Sequence, residues 1–152
     1  MIVRLTLKCQ IHCHHGSMNI DIQDGARLIY TARDLQAGPL TIDLMIAWPT
    51  TINIFVSGKG PNDTLLDDQG RVVQDKAIEV TQVLVNNFPI QQHLTDKIFL
   101  CRRAGSDEIT NENWWGFNGH ISMVFDQANP MRYMLSLSNQ FDIDRSGEST
   151  HG

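Results

Sequence analysis

The chain has 152 residues, 41% of them hydrophobic, enough for one substantial core and too few for two ordinary domains. Twelve Lys and Arg against seventeen Asp and Glu leave a net charge of -5, without the broad positive field that nonspecific nucleic-acid or anionic-membrane binding draws on. Apolar runs are of strand length, well below the roughly 20 residues of a spanning helix, and the N-terminus alternates instead of forming a signal-peptide core; the expectation is a soluble protein with no export signal, no membrane insertion and no nucleic-acid partner.

The first predicted element is a strand over 2–13, where Val3, Leu5, Leu7, Cys9 and Ile11 alternate with Arg4, Thr6, Lys8, Gln10 and His12 at the period of a half-buried strand. On it Cys9 and Cys13 share a face about 13 Å apart at roughly 3.3 Å per residue, too far for a disulfide, whose Cα atoms lie within about 7 Å. Either can still meet Cys101; the simpler expectation for three cysteines is free buried thiols in a reducing compartment, with synthesis in a cytoplasm. Cys9, His12, Cys13, His14 and His15 are ligand types that suit zinc or copper. A regular strand points the cysteines one way and His12 and His14 the other, so four ligands do not converge there without a bulge or a second segment. His14-His15-Gly16-Ser17-Met18 has the look of the junction a purification tag leaves, yet tags lack the strand pattern before it, so a genuine strand and a His- and Gly-containing turn are expected.

Strands are predicted next at 18–23, 26–33, 39–48 and 51–57, the third of these alternating Leu40, Ile42, Leu44 and Ile46 with Thr41, Asp43, Met45 and Ala47. Trp48, before Pro49, continues the inward set as a core residue. Gly25, Gly38-Pro39, Pro49, Gly58 to Pro61 and, later, Asn129-Pro130 supply the breaks. The segment from Asn62 to Asp75 gathers Asp63, Asp67, Asp68 and Asp75, hard oxygen ligands of the kind calcium requires, but not at the spacing of a helix-loop-helix site. A hairpin accounts for the same residues, with Asp67-Asp68-Gln69-Gly70 as the turn, Leu65 and Leu66 leading in, and Val72 and Val73 leading out.

Further strands are predicted at 76–86, 97–102, 119–126 and 132–143, the 119–126 strand carrying Ile121, Met123 and Phe125 on one face. Before it stand Trp114, Trp115 and Phe117, between Asn111, Glu112 and Asn113 and the turn pair Asn118-Gly119. Flat aromatic faces beside amides and carboxylates suit a sugar, whose C–H faces stack and whose hydroxyls need partners. Adjacent tryptophans on a strand face opposite ways, so one belongs to the core. Trp114, Trp115, Phe117, Asn118 and Glu112 are therefore the candidate ligand-binding residues, and Asp63, Asp67, Asp68 and Asp75 the candidate metal ligands. No catalytic residue is assigned. Glu79, Glu108, Glu112, Asp142 and Asp144 are available as carboxylate pairs, but there is no nucleophile elbow, phosphate-cradling glycine loop or His-Glu-x-x-His helix to anchor a reaction.

Nine short strands with turn punctuation and no helical period predict an all-β fold, a single antiparallel β-sandwich of jelly-roll type over 1–144, followed by a flexible tail over 145–152. Its core is expected from Val3, Leu5, Leu7, Ile42, Leu44, Ile54, Val83, Ile121, Phe125 and Leu135.

Ser57-Gly58-Lys59-Gly60-Pro61-Asn62-Asp63-Thr64, followed by Val72-Val73-Gln74-Asp75-Lys76-Ala77-Ile78 and Val83-Leu84-Val85-Asn86-Asn87, resembles small virion proteins of tailed phages, especially those of cyanobacteria. Trp115-Gly116-Phe117-Asn118-Gly119 with Ile121 and Phe125 adds to the likeness, which spans roughly residues 40–140. Such proteins are similar to carbohydrate-binding modules: non-catalytic jelly rolls, sometimes calcium-dependent, carried on capsids or tails. The resemblance implies a virion location, with glycan or other virion proteins as partners and calcium as an optional ion. The alternatives are a capsid or tail decoration protein that contacts only protein, homo-oligomers included, through strand edges and the long first strand, and a small glycan-degrading β-sandwich enzyme.

Overall fold

Alternation along the first strand places it. β1 (Ile2–His12) turns Val3, Leu5, Leu7, Cys9 and Ile11 inward, all buried, and Arg4 and Lys8 outward. The computed structural model describes residues 2–14, 16–60, 63–90 and 98–125, the side chain of Val73 excepted. In these residues β1 is followed by β2 (Met18–Asp24), β3 (Arg27–Leu35), β4 (Gly38–Ala47), β5 (Thr50–Ser57), β6 (Leu65–Leu66), β7 (Val72–Gln74), β8 (Ala77–Val85), β9 (Phe88–Pro89), β10 (Leu100–Arg103), β11 (Trp114–Trp115) and β12 (Gly119–Phe125).

Among the described residues all strand pairs are antiparallel. One sheet runs β11-β8-β1-β4 with β9 on β8, the other runs β10-β12-β5-β2-β3, and β6 and β7 form a separate hairpin. The inward faces of the two sheets share one apolar cluster: Leu5, Leu7, Ile42, Leu44 and Val83 from the first meet Ile20, Ile22, Ile52, Ile54, Ile121 and Phe125 from the second. This is the expected antiparallel β-sandwich of jelly-roll type. Phe99 packs edge-on against Trp115 with centroids 5.1 Å apart, and Trp48 tilts onto Phe125 at 4.8 Å, so Trp48 is the core residue its position suggested.

Val3, Leu5, Leu7, Ile42, Leu44, Ile54, Val83, Ile121 and Phe125 are buried as expected. Leu135, the strand at 132–143, the tail, the Asn129-Pro130 break, His15, Pro61, Asn62, Asp142 and Asp144 lie outside the described residues. The hairpin reading of the acidic segment holds: the Asp67 amide donates to Arg71 O and the Gly70 amide to Asp67 O, closing the turn between β6 and β7.

The long first strand is flanked on both sides, by β4 and β8, with Leu5 standing opposite Leu44 and Val85. One expectation is corrected. No disulfide joins the three thiols, but they are not equally buried. Cys9 and Cys101 face the core, whereas Cys13, one residue past the end of β1, is half-buried and its Sγ donates to Gly16 O at 3.3 Å.

Candidate functional site

Register brings the connections of both sheets to one end of the sandwich. His12 pairs with Ala77, Trp115 with Ile78, Gly119 with Val56, Asn19 with Ser57 and Gly38 with Ile11. The residues just past His12, the 36–37 turn, Gly58 to Gly60, the Asp75-Lys76 link and the Gly116 to Asn118 corner therefore adjoin. Asn113 fixes the approach to β11 by holding the Val80 backbone twice, its carbonyl accepting from Val80 N at 2.8 Å and its side-chain amide donating to Val80 O at 3.0 Å.

From that anchor the two tryptophans part. Trp115 turns inward, is fully buried, and donates its indole N–H to Glu112 O at 2.9 Å. Trp114 turns outward and is 37% exposed. Its ring stacks on His12 with centroids 4.5 Å apart and planes at 27°, and its indole N–H donates to Asp75 Oδ2 at 3.2 Å. Beneath this pair His12 Nε2 meets Glu79 Oε1 at 3.0 Å. Trp114, Glu79 and Gln10 form one cross-strand row on the outer face. Beside them lies a groove of about 490 Å³, lined by Gln10, Ile11, His12, Cys13, His14, Ala37, Val72, Gln74, Asp75 and Trp114.

The remaining aromatic-loop candidates hold structure together. Phe117 is buried beneath the Arg103 guanidinium, which sits 4.7 Å from its ring centroid. Glu112 takes both arms of that guanidinium at 2.8 and 3.0 Å and a hydrogen bond from the Thr110 hydroxyl. Arg103 foremost holds its carboxyl below the usual range, against a smaller upward push from burial. The Asn118 side chain brackets Lys59, accepting from its amide at 2.9 Å and donating to its carbonyl at 2.7 Å.

The four aspartates divide between two places. Asp67 caps its own hairpin, accepting from the Gln69 and Arg71 amides and from Arg71 Nε, each at 2.9 Å, and Asp68 is exposed in the turn. Asp75 and Asp63 each face a lysine. Asp75 Oδ1 accepts from Lys59 Nζ at 2.6 Å, Thr64 Oγ1 at 2.8 Å and the Lys76 amide at 2.8 Å. Burial pushes this carboxyl up, but Lys59, Thr64, the Lys76 amide and the Trp114 indole together hold it below the usual range. Asp63 Oδ2 accepts from the Gly60 amide and stands 3.4 Å from Lys76 Nζ, which donates to Gly58 O at 2.9 Å. Among the described residues no three His, Cys, Asp or Glu side chains are grouped to hold a metal. Two of the carboxylates are engaged by ammonium groups and a third by a turn, so this donor set does not fit calcium as a shell.

Of the predicted aromatic set, then, only Trp114 lines the groove, and of the acidic set only Asp75. Gln10, His12 and Gln74 join them. Gln10 and His12 are legible as the polar face of the first strand, but their nearness to Trp114 depends on β1, β8 and β11 lying side by side. The groove combines a flat indole with amide, imidazole and carboxylate groups, which can stack an apolar ring face and bond hydroxyls around its rim.

No protein-family model matches the chain, and neither does any curated protein. Among solved structures the chain is similar to the selenomethionine form of vCBM60, from work linking two families of calcium-dependent carbohydrate-binding modules by circular permutation. Identity there is 14%, coverage 80% of this chain and 90% of that one, and the TM-score 0.48. It is also similar to vCBM60 in complex with galactobiose, at 16% identity, with 80% and 97% coverage and a TM-score of 0.46.

Proposed function

We propose that this chain is a non-catalytic carbohydrate-binding module, with the groove beside Trp114 as its glycan site. The observation that supports the reading is the half-exposed indole, braced by His12 and Asp75, at the wall of a polar-rimmed groove of about 490 Å³. In this reading a pyranose ring stacks on Trp114 while Gln10, Gln74 and the rim take its hydroxyls. The carboxylates nearest the groove are committed elsewhere, Asp75 to Lys59 and Thr64 and Glu79 to His12, which favours binding over acid-base chemistry. The setting we propose, a virion surface with host glycan as partner, rests on the sequence resemblance alone.

A glycan array with tag-free protein tests the site. Saturable binding is expected, lost in Trp114→Ala while unfolding stays cooperative; binding that survives this substitution removes the groove from the reading. Release of reducing ends from a bound glycan would instead establish the enzyme alternative.

A further inference from the structure

The loops that border the groove carry two ammonium groups in places where oxygen atoms converge. Lys59 Nζ lies against Asp75 Oδ1 at 2.6 Å and donates to Gly116 O, while Asp75 Oδ1 also takes the Thr64 hydroxyl. Lys76 is 3% exposed, with Nζ on Gly58 O at 2.9 Å and 3.4 Å from Asp63 Oδ2. A carboxylate, a hydroxyl and main-chain carbonyls drawn from separate loops are the donors a hard divalent cation collects. We propose that Lys59 and Lys76 are the resident cations of this end of the molecule, covalently tethered in the role a calcium ion would otherwise fill, so that the groove loops are held without metal.

Four features carry this. Each lysine joins segments far apart in sequence, Lys59 linking its own loop to residues 75 and 116 and Lys76 linking its own to residues 58 and 63. The two clusters are continuous, because the Lys76 amide donates to the Asp75 oxygen that Lys59 holds. Space is closed as well as charge. A Cβ on Gly116 would stand 3.3 Å from Lys59 Nζ and 2.9 Å from Asp75 Oδ2, and one on Gly16 would stand 3.0 Å from Lys76 Nζ, so a glycine closes against each head group. Finally, an ammonium 2.6 Å from Asp75 Oδ1 both repels a second cation and occupies the position from which calcium would bind that oxygen.

The inference rests on loop geometry and stands whether or not a glycan binds. Its test is thermal unfolding of the full chain with millimolar calcium and, separately, with chelator. The expected result is one unchanged Tm. A native site filled at about 100 times its Kd would raise Tm by roughly 5–10 °C in a chain of this size, and such a rise overturns the proposal. Lys59→Met and Asp75→Asn should each lower Tm, and the double variant should fall by clearly less than the sum, as for two halves of one unit; additive losses overturn the assignment of Lys59. Should Lys59→Met not fold, calorimetric titration of the wild-type chain with calcium alone decides: absence of saturable binding supports the tethered cations, and stoichiometric binding refutes them.

Discussion

Trp114 and Trp115 differ by one step along a strand, and that step separates a groove wall from a core. The pleat sends Trp115 against Phe99 and Trp114 against His12, so the pair also pins the register of β11. Asp75 is the other residue on which the site turns. Its carboxyl is held below the unfolded value of about 3.9, so it contributes stability that is present at neutral pH and lost as pH falls through its lower folded value. Asp75→Asn is accordingly expected to be less stable than wild type at pH 7, with a gap that closes on acidification below about pH 4. Urea midpoints measured across that range check it, and a gap that does not change with pH would show that the carboxylate charge is not what matters.

At the level of elements, what the sequence made legible were the segments long enough to display a period. Eight of the predicted strands correspond to β1, β2, β3, β4, β5, β8, β10 and β12, with ends displaced by a few residues, and the Asp67 to Gly70 turn chemistry marked the small hairpin. The two-residue ladders β9 and β11 carry no period and follow only from β8 lying beside them. The site was half legible for the same reason. Aromatic and acidic residue types mark the loops that border the groove, but Asp75 and Trp114 stand 39 residues apart and meet through tertiary pairing. One connection shows how tightly these elements abut. Gly58 has φ of 103°, and a Cβ there would come within 2.7 Å of Ser17 O, which is main chain and cannot swing aside. Gly58→Ala is expected to cost about 1–3 kcal/mol, read from the denaturation midpoint; a change within about 0.5 kcal/mol would mean that the 58–60 loop moves freely from Ser17.

Across the whole molecule, one apolar cluster serves both sheets, and the thiols offer a probe of whether they unfold together. Cys9 belongs to the first sheet and Cys101 to the second. Burial pushes the Cys9 thiol up to about 12, and burial foremost raises that of Cys101 to about 11, so neither supplies much thiolate near neutral pH. Cys13, half-buried at the groove, is expected to react first with a thiol reagent. Cys9 and Cys101 should then become reactive with the same denaturant midpoint, as a shared core requires; separate midpoints, resolved by peptide mass mapping, would show sheets that open independently.

The run of β1 through the middle of its sheet also sets an orientation. Ile2 stands opposite Ala47 at one end and His12 adjoins Trp114 at the other, about 33 Å away at roughly 3.3 Å per residue. Ile2 therefore marks the pole opposite the groove, and β1, flanked by β4 and β8, ties the two poles together as one spine through the sheet.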